Sequence, residues 1–284
     1  MSLRLAPPAV ASAEALPEIV GLLERVFPRP RPWPPDLAWQ YLENPAGPAR
    51  YVNGYADSGE LIAHYALLPT LPLADPPAAF RATYFSLNTA VDPAARIPGL
   101  MVATGRALFR QLQEEGPVLV LGVANENSYQ GFVRMLGFRS LGRLALSAHL
   151  PGTLPAVGAP RALATSPAQL AWRAGRPGVA GYADPSTGTL SVRLRHHGLP
   201  LDALLTTGSG DQMGSLQLPR PAAWVPRLYA GFGGRVRGGF PVPEPLRPSP
   251  LEYIVRVLGD PALLEPVTRY LSARRFEFLD FDVV

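Results

Sequence analysis

The sequence lacks cysteine and lysine entirely, and all 26 basic residues among its 284 are arginine. Without cysteine there can be no disulfide, no thiolate metal ligand and no cysteine nucleophile. Without lysine there can be no Schiff base between the protein and a carbonyl substrate. Several classes of covalent catalysis are therefore excluded.

Long apolar runs are also missing. The longest, Val118–Ala124, is far shorter than the roughly 20 residues that a membrane helix needs. The N-terminus has no charged start followed by an apolar core, which a secretion signal requires. We therefore expect a cytoplasmic protein without a membrane partner.

Proline, by contrast, is abundant, with 34 residues, a share more than double the usual proportion of about 5 %. The prolines cluster in residues 28–35, 151–167 and 241–250. The net charge of +4 suits an anionic ligand. However, the arginines are scattered along the chain, which does not favour a nucleic-acid partner.

Apolar periodicity predicts alternating helices and strands in the first half of the chain. The first predicted helix has Ser12 as its N-cap and carries apolar residues at helical spacing from Leu16 to Phe27. The other predicted helices are 35–43 and 100–115, and the predicted strands are 3–6, 50–56, 61–69, 81–91, 118–124 and 141–149. The segment Asp57-Ser58-Gly59 is typical of a hairpin turn between two of these strands.

Residues 151–168 are rich in small residues and prolines and have no periodicity, which is typical of a linker. Beyond them, Leu170-Ala171-Trp172-Arg173 echoes Leu37-Ala38-Trp39-Gln40, and each is followed by a proline-containing turn and a hairpin pattern. We therefore predict a domain over 1–150, a linker over 151–168 and a second, related domain over 169–284. The second domain is predicted to hold a helix at 222–229.

The segment between two of the strands carries the clearest chemical signal. Arg96-x-x-Gly99 stands between the strand 81–91 and the helix 100–115. Such a turn directs free backbone N–H groups and the positive end of a helix dipole at an anion. It is a candidate pyrophosphate site, although a strand-to-helix turn can need glycine for its geometry alone.

Together with the strand 118–124, Asn125-x-x-Ser128 and the closing Leu136-Gly137-Phe138, this segment resembles the GNAT superfamily of acetyl-CoA-dependent N-acyltransferases. The family turn is Q/R-x-x-G-x-G/A. Here Met101 replaces the last small residue, and Pro98 has no N–H to donate. The tandem arrangement is similar to that of mycothiol synthase.

The resemblance implies an α/β (α+β GNAT) fold, with a mixed, centrally splayed β-sheet flanked by helices, followed by a second, degenerate GNAT-like α/β domain. It implies acetyl-CoA as co-substrate, with no metal. The residues that it implies for cofactor binding are Thr89, Ala90, Val91, Arg96, Ile97, Gly99, Leu100, Met101, Asn125 and Ser128. Asn125 and Ser128 could equally serve only as helix caps.

The resemblance also implies a tyrosine that protonates the departing CoA thiolate. The matching positions hold Phe132 and Val133, so Tyr129, one turn earlier, is the nearest candidate. Glu126 and His64 are candidates for the general base that deprotonates the amine. Each has a structural alternative, as a helix-start charge and as a strand residue, respectively.

We therefore predict an N-acetyltransferase that moves an acetyl group to an amine by direct attack in a ternary complex. The acceptor is a small-molecule or peptide amine, and a homodimer is left open. The alternative is a non-catalytic acyl-CoA-binding or regulatory module, because the tyrosine is missing. His196-His197 lacks the further ligands of a metal site.

Overall fold

The computed structural model describes residues 3–27, 33–95, 97, 99–151, 153–154, 159–196, 199–207, 213–233, 239–243 and 250–280. Arg96 and Pro98 of the predicted pyrophosphate turn lie outside these residues, as does His197.

The first part of the chain alternates strands and helices. Its strands are β1 (Leu3–Leu5), β2 (Ala9–Val10), β3 (Arg50–Ala56), β4 (Leu61–Thr70), β5 (Ala82–Val91), β6 (Val118–Ala124), β7 (Arg139–Arg143) and β8 (Ala145–His149). Its helices are α1 (Leu16–Val26), α2 (Trp33–Tyr41), α3 (Leu100–Glu114) and α4 (Glu126–Gln130), which continues as a π-helical turn, Gly131–Met135.

The second part has more strand than helix. Its strands are β9 (Ala180–Asp184), β10 (Thr189–His196), β11 (Leu199–Thr207), β12 (Arg227–Phe232), β13 (Phe240–Pro241), β14 (Glu252–Leu258) and β15 (Phe276–Glu277). Its helices are α5 (Pro167–Ala174) and α6 (Leu264–Ser272), and 3-10 turns cover Pro261–Leu263 and Phe278–Asp280.

The first sheet is mixed and has helices on both faces. Its order is β1-β3-β4-β5-β6-β14-β7, with β2 also paired to β3. Side chains of a strand alternate between the faces. Tyr65 of β4 therefore packs with Phe109 of α3 and with Phe132, while its neighbour His64 packs against Tyr41 of α2 on the other face.

The second sheet has the order β13-β8-β12-β11-β10-β9, with β15 also paired to β12. Residues 141–149, which we predicted as one strand of the first domain, form two strands: β7 belongs to the first sheet and β8 to the second. In return, β14, from late in the sequence, lies between β6 and β7 in the first sheet. Each sheet thus takes a strand from the other half of the sequence.

The chain divides into two compact units that follow this exchange. One consists of residues 1–72, 78–140 and 254–265, and the other of 73–77, 141–253 and 266–284. Compactness alone does not show which residues fold independently, so the domain boundaries at 150 and 169 stay a prediction. Arg161–Leu163, inside the predicted linker, form bridges to Arg275 and Leu73 within the second unit.

Local patterns predicted most elements of the first unit well. The helix predicted at 222–229 is wrong, because this segment is a turn followed by β12, and β11 and β14 were not predicted at all. A proline at 226 and one at 221 keep this stretch from a continuous helix. The mixed α/β class with a splayed sheet is confirmed by the two mixed sheets.

Candidate active site

Strands β5 and β6 open a gap at their carboxyl ends. They pair in parallel from Ala82–Val118 to Ser86–Gly122, and the ladder ends there. Beyond this point β5 stays paired with β4, where Ala90 lies opposite His64. The edge of β5 that faces β6 is therefore open over its last residues.

The direction of one N–H group in this gap follows from its neighbour. The N–H of Asp92 donates to the carbonyl of Ile62, in β4, at 2.8 Å. Because successive residues of a strand direct their N–H groups to opposite edges, the N–H of Val91 faces the gap. Val91 was among the residues predicted to contact the cofactor arm.

A β-bulge interrupts the pairing of β5 with β4 close to this gap. The β4–β5 register shifts between His64–Ala90 and Ala66–Leu87, so that Asn88 and Thr89 together stand opposite Tyr65. Asn88 has φ +49°, a left-handed conformation that asparagine tolerates better than most residues. The extra residue interrupts the regular pairing of β5 with β4 and bends β5 just beyond the end of its ladder with β6.

Buried polar side chains hold this bulge in place. The amide nitrogen of Asn88 donates to Gln40 Oε1 at 2.8 Å and to the Tyr41 hydroxyl at 3.3 Å. The Tyr41 hydroxyl lies 2.8 Å from His64 Nε2, and Asn53 Oδ1 lies 2.7 Å from His64 Nδ1. The sequence analysis missed this network, although asparagine in the middle of a predicted strand is a signal for a bulge.

His64 has a different role from the one that the sequence suggests. Asn53 Oδ1 can only accept, so Nδ1 of His64 carries the proton and Nε2 accepts from Tyr41. The side chain is fully buried, and burial lowers the pKa of His64 to about 3. Both ring nitrogens are thus engaged, and His64 supports the bulge through Tyr41 instead of reaching an amine.

The turn after β5 is tied to α1 by a carboxylate. Asp92 Oδ1 accepts the N–H of Ala94, and its Oδ2 accepts from Arg25 Nε, each at 2.9 Å. These two hydrogen bonds lower the pKa of Asp92, with the Ala94 N–H as the larger cause. Arg25 also donates to the Leu61 carbonyl. The start of the predicted pyrophosphate turn is therefore linked through Arg25 to both α1 and β4.

Gly99 begins α3 with an open helix end. It is the N-cap residue with φ +77°, no side-chain hydrogen bond caps the helix within the described part of the chain, and the first helical turn has no acidic residue. A Cβ placed on Gly99 would meet no atom of the described structure within 4 Å. The first N–H groups of a helix have no partner within it and carry the positive end of the dipole. This end of α3 is therefore suited to an anion.

The other predicted residues of this turn differ in orientation. Leu100 is buried, and Ile97 packs beside it in a small apolar cluster. The N–H of Ile97 donates to the carbonyl of Ala95, so this donor is already used. Met101 is half-buried, and its methyl group would lie 2.3 Å from a Cβ on Gly131. Met101 thus connects the start of α3 to the π-helical turn after α4.

Asn125 and Ser128 form a reciprocal cap on α4. Ser128 N donates to Asn125 Oδ1 at 3.0 Å, and Asn125 N donates to Ser128 Oγ at 3.2 Å. The capping alternative is therefore realised, and whether these residues also contact a cofactor stays a prediction. Glu126 is exposed in the first turn of α4, and Tyr129 is half-buried against the main core.

The positions where the resemblance implies a tyrosine, Phe132 and Val133, are apolar and lie in or against a hydrophobic core. Phe132 is 5 % exposed and packs edge-on against Phe138, with ring centroids 5.2 Å apart. Val133 packs on the same core. Tyr129, the fourth residue of α4, therefore remains the phenol nearest to this position in the sequence.

The predicted residues converge on one edge of the first sheet. Carboxyl ends of adjacent parallel strands lie at the same edge. Thr89–Val91 end β5, Gly99–Met101 begin the helix that follows it, and Asn125–Tyr129 follow β6. A cavity of about 450 Å³ lies at the opposite end of β5, near Arg50 and Tyr84. None of the predicted site residues lines that cavity.

Among the described residues there is no group of three or more histidine, aspartate or glutamate side chains placed to hold a metal ion. None of the described helices is both long and apolar enough to cross a membrane.

No protein-family profile matches the sequence, and no curated protein matches it. Several solved structures match nearly the whole chain. A GCN5-related N-acetyltransferase from Anabaena variabilis has a TM-score of 0.57 at 12 % identity, and the match covers 90 % of this chain and 73 % of that one. A protein from Enterococcus faecalis described as a probable N-acyltransferase has a TM-score of 0.55 at 11 % identity, covering 91 % and 73 %. A GCN5-related N-acetyltransferase from Kribbella flavida has a TM-score of 0.52 at 11 % identity, covering 90 % and 72 %. At such identities the likeness shows a common fold.

Proposed function

We propose that this chain, which has the GNAT fold in two GNAT-like halves, is an N-acyltransferase that moves an acetyl group from acetyl-CoA to an amine. The observation that carries the proposal is the start of α3. Its glycine cap, its first turn without acidic residues and the open space beside Gly99 suit a pyrophosphate. This start of α3 lies next to the gap between β5 and β6.

In this proposal the backbone does most of the binding. The first N–H groups of α3 hold the pyrophosphate, and the open edge of β5 accepts the pantetheine arm as an added strand would be accepted. The N–H of Val91, which faces the gap, donates to the thioester carbonyl and stabilises the oxyanion that forms there. The bulge at Asn88 keeps this edge away from β6.

The chemical step is direct transfer. The amine nitrogen attacks the thioester carbonyl, a C–N bond forms and the C–S bond breaks. Glu126 is the proposed base for the amine proton, and Tyr129 the proposed donor to the thiolate. The proposal does not assign the base role to His64, because this side chain is fully buried and both of its ring nitrogens make hydrogen bonds. The acceptor class, a small-molecule or peptide amine, and a cytoplasmic location belong to the same proposal.

Calorimetric titration with acetyl-CoA tests binding. The Gly99→Trp variant should lose binding at least about a hundredfold, because the side chain occupies the open space and the charge-assisted N–H bonds, worth about 1.5–3 kcal/mol each, are blocked. Gly59→Trp is a matched control, since Gly59 has φ +85° and equally open surroundings in the β3–β4 turn. Equal affinities for all three proteins would refute the pyrophosphate site.

A second candidate function is acyl-CoA binding without turnover. The specific observation in its favour is the buried Phe132 where the family has its tyrosine. Release of CoA thiol across a panel of amines separates the two functions. Binding together with amine-dependent thiol release, reduced about 10²–10⁴-fold in Tyr129→Phe, supports the enzyme. Binding without release from any amine supports the module.

A further inference from the structure

The second sheet repeats the strand pattern that forms the gap in the first. Strands β11 and β12 pair in parallel from Asp202–Arg227 to Leu204–Tyr229. Directly after this ladder the β10–β11 register shifts, which leaves Leu205 as an extra residue on β11. In the first sheet the β5–β6 ladder likewise ends just before a bulge on β5, at Asn88 and Thr89. In both sheets, therefore, a short parallel ladder ends next to a bulge on the first of its two strands.

The region beyond the β11–β12 ladder corresponds to the gap between β5 and β6, and we call it the gap of the second sheet. The two gaps differ in what they contain. At Gly231, one edge of β12 pairs with Ala145 of β8, and Gly231 also pairs with Glu277 of β15. Since a strand has only two edges, β15 occupies the edge that β11 holds at the preceding residues. The 3-10 turn Phe278–Asp280 packs on both β11 and β12. The gap of the second sheet is therefore filled by residues 276–280.

Charged side chains anchor this filling segment. Arg161 donates to Glu277 Oε2 at 2.6 Å and to Asp280 Oδ1. The backbone N–H of Glu277 donates to Asp280 Oδ2 at 2.8 Å, which closes the turn. Arg275 N donates to the Pro160 carbonyl, and Ala162 N donates to the Arg275 carbonyl. Residues 160–162 thus fix the position of residues 275–280 through backbone hydrogen bonds and the Arg161 side chain.

Apolar packing makes the arrangement tight. Phe276 is fully buried and stacks on Tyr253, with ring centroids 4.1 Å apart. At Gly233, just after β12, a Cβ would lie 1.7 Å from the carbonyl oxygen of Arg274. Only glycine permits so close an approach of the two backbones. The chain leading into β15 is therefore packed directly against the end of β12.

We propose that the second half has retained the ligand gap of its fold but uses it to bind the chain's own residues 276–280, so that one chain takes up a single acyl-CoA, in its first half. The number of acyl-CoA molecules rests on the function proposed above; the filled gap does not. An extended ligand would need the same backbone edge that β15 already occupies. Residues 276–280 therefore act as a permanent internal ligand.

Hydrogen exchange of the full-length protein, measured by mass spectrometry without ligand, tests the filled gap. Amides of 276–280 and of the end of β12 should be protected in the wild type. Arg161→Leu should speed their exchange by about tenfold or more, because the buried Asp280 loses its arginine and Glu277 keeps only its longer ion pair with Arg275, at 3.5 Å. Glu277→Gln, which keeps the shape of the side chain, serves if Arg161→Leu does not fold.

Arg193→Leu is the matched control for this experiment. Arg193 pairs with the buried Asp202 in the same sheet and lies over the ring of Tyr182, a residue of β9. It should speed exchange in β10 and β11 and leave 276–280 unchanged. Unprotected 276–280 in the wild type, or equal acceleration by both variants, would overturn the proposal.

Titration with CoA then counts the sites. One CoA per chain, with none bound by Gly99→Trp, is the expected result. Two per chain, or binding that survives Gly99→Trp, would show that the second half also takes up the ligand and would overturn the inference. No binding by the wild type would refute the proposed function alone, because hydrogen exchange decides independently whether the second gap is filled.

Discussion

At the scale of single residues, the site owes its shape to a few buried polar side chains. His64 and Tyr41 form hydrogen bonds in the interior and thereby support Asn88, the left-handed residue of the bulge. A buried polar group without its partner is costly. These residues therefore contribute to the gap without touching anything that enters it.

The burial of His64 predicts a pH dependence of stability. Its pKa of about 3 in the folded protein lies below the ordinary value near 6.5. Between these values the unfolded chain binds a proton that the folded chain does not, so stability falls as the pH drops from about 6.5 towards 3. The slope for one such group is about 1.4 kcal/mol per pH unit.

Urea unfolding of the wild type and of His64→Gln at pH 7, 6 and 5 measures this slope. His64→Gln should be less stable at pH 7 but lose less stability on acidification. The buried His149 is present in both proteins, so the difference between them reports His64. Parallel pH profiles for the two proteins would contradict the predicted role of this histidine.

At the scale of elements, two helix starts show opposite arrangements. The start of α4 is closed by its own Asn125–Ser128 capping box, whereas α3 has Gly99 as its N-cap and no capping side chain among the described residues. A closed helix end has fewer free N–H groups for a ligand, and an open one retains them. This contrast makes α3, and not α4, the anion-binding helix of the proposed site.

Substitutions at Asn125 separate capping from cofactor contact. Asn125→Ala should lower the free energy of unfolding by about 1 kcal/mol, while Asn125→Asp, which also accepts the Ser128 N–H, should retain stability. If the side chain serves only as a cap, acetyl-CoA affinity of Asn125→Asp stays within about twofold of the wild type. Urea unfolding and calorimetry measure both quantities. Wild-type stability in Asn125→Ala would contradict the cap.

At the scale of the whole molecule, the two sheets exchange strands. Ile254 and Leu258 of β14 are fully buried in the main core of the first unit, beside residues far away in the sequence. Fully burying such a side chain contributes roughly 1.5–3 kcal/mol. A fragment that ends before β14 loses these contacts and leaves β6 with an unpaired edge.

The fragment 1–150 should therefore lack a cooperative unfolding transition. Appending residues 250–272 through a glycine–serine linker should restore one, because β14 then returns to its place beside β6. Circular dichroism during urea titration measures both. A cooperative transition of fragment 1–150 by itself, at the midpoint of the full-length chain, would instead support the contiguous domain boundary.

How far the sequence predicts this protein depends on the range of the interactions. The resemblance carried by residues 85–138 correctly predicted the fold, and the splay of β5 from β6 is present as expected. Gly99 and the Asn125–Ser128 cap could be recognised because glycine and capping residues act within a few positions. The hydrogen bonds of His64 could not, since its partners come from α2 and β3.

The sequence by itself determined the local elements and excluded cysteine and lysine chemistry, because helix and strand periodicity, turns and caps depend on near neighbours. Only the tertiary structure decided that β8 and β14 change sheets, that His64 is buried, and that residues 276–280 fill the second gap. Strand pairing between distant segments has no periodicity of its own, because it depends on which edge remains open when the sheets assemble. The open gap of the first half and the filled gap of the second thus arise from the same strand pattern but from different long-range pairings.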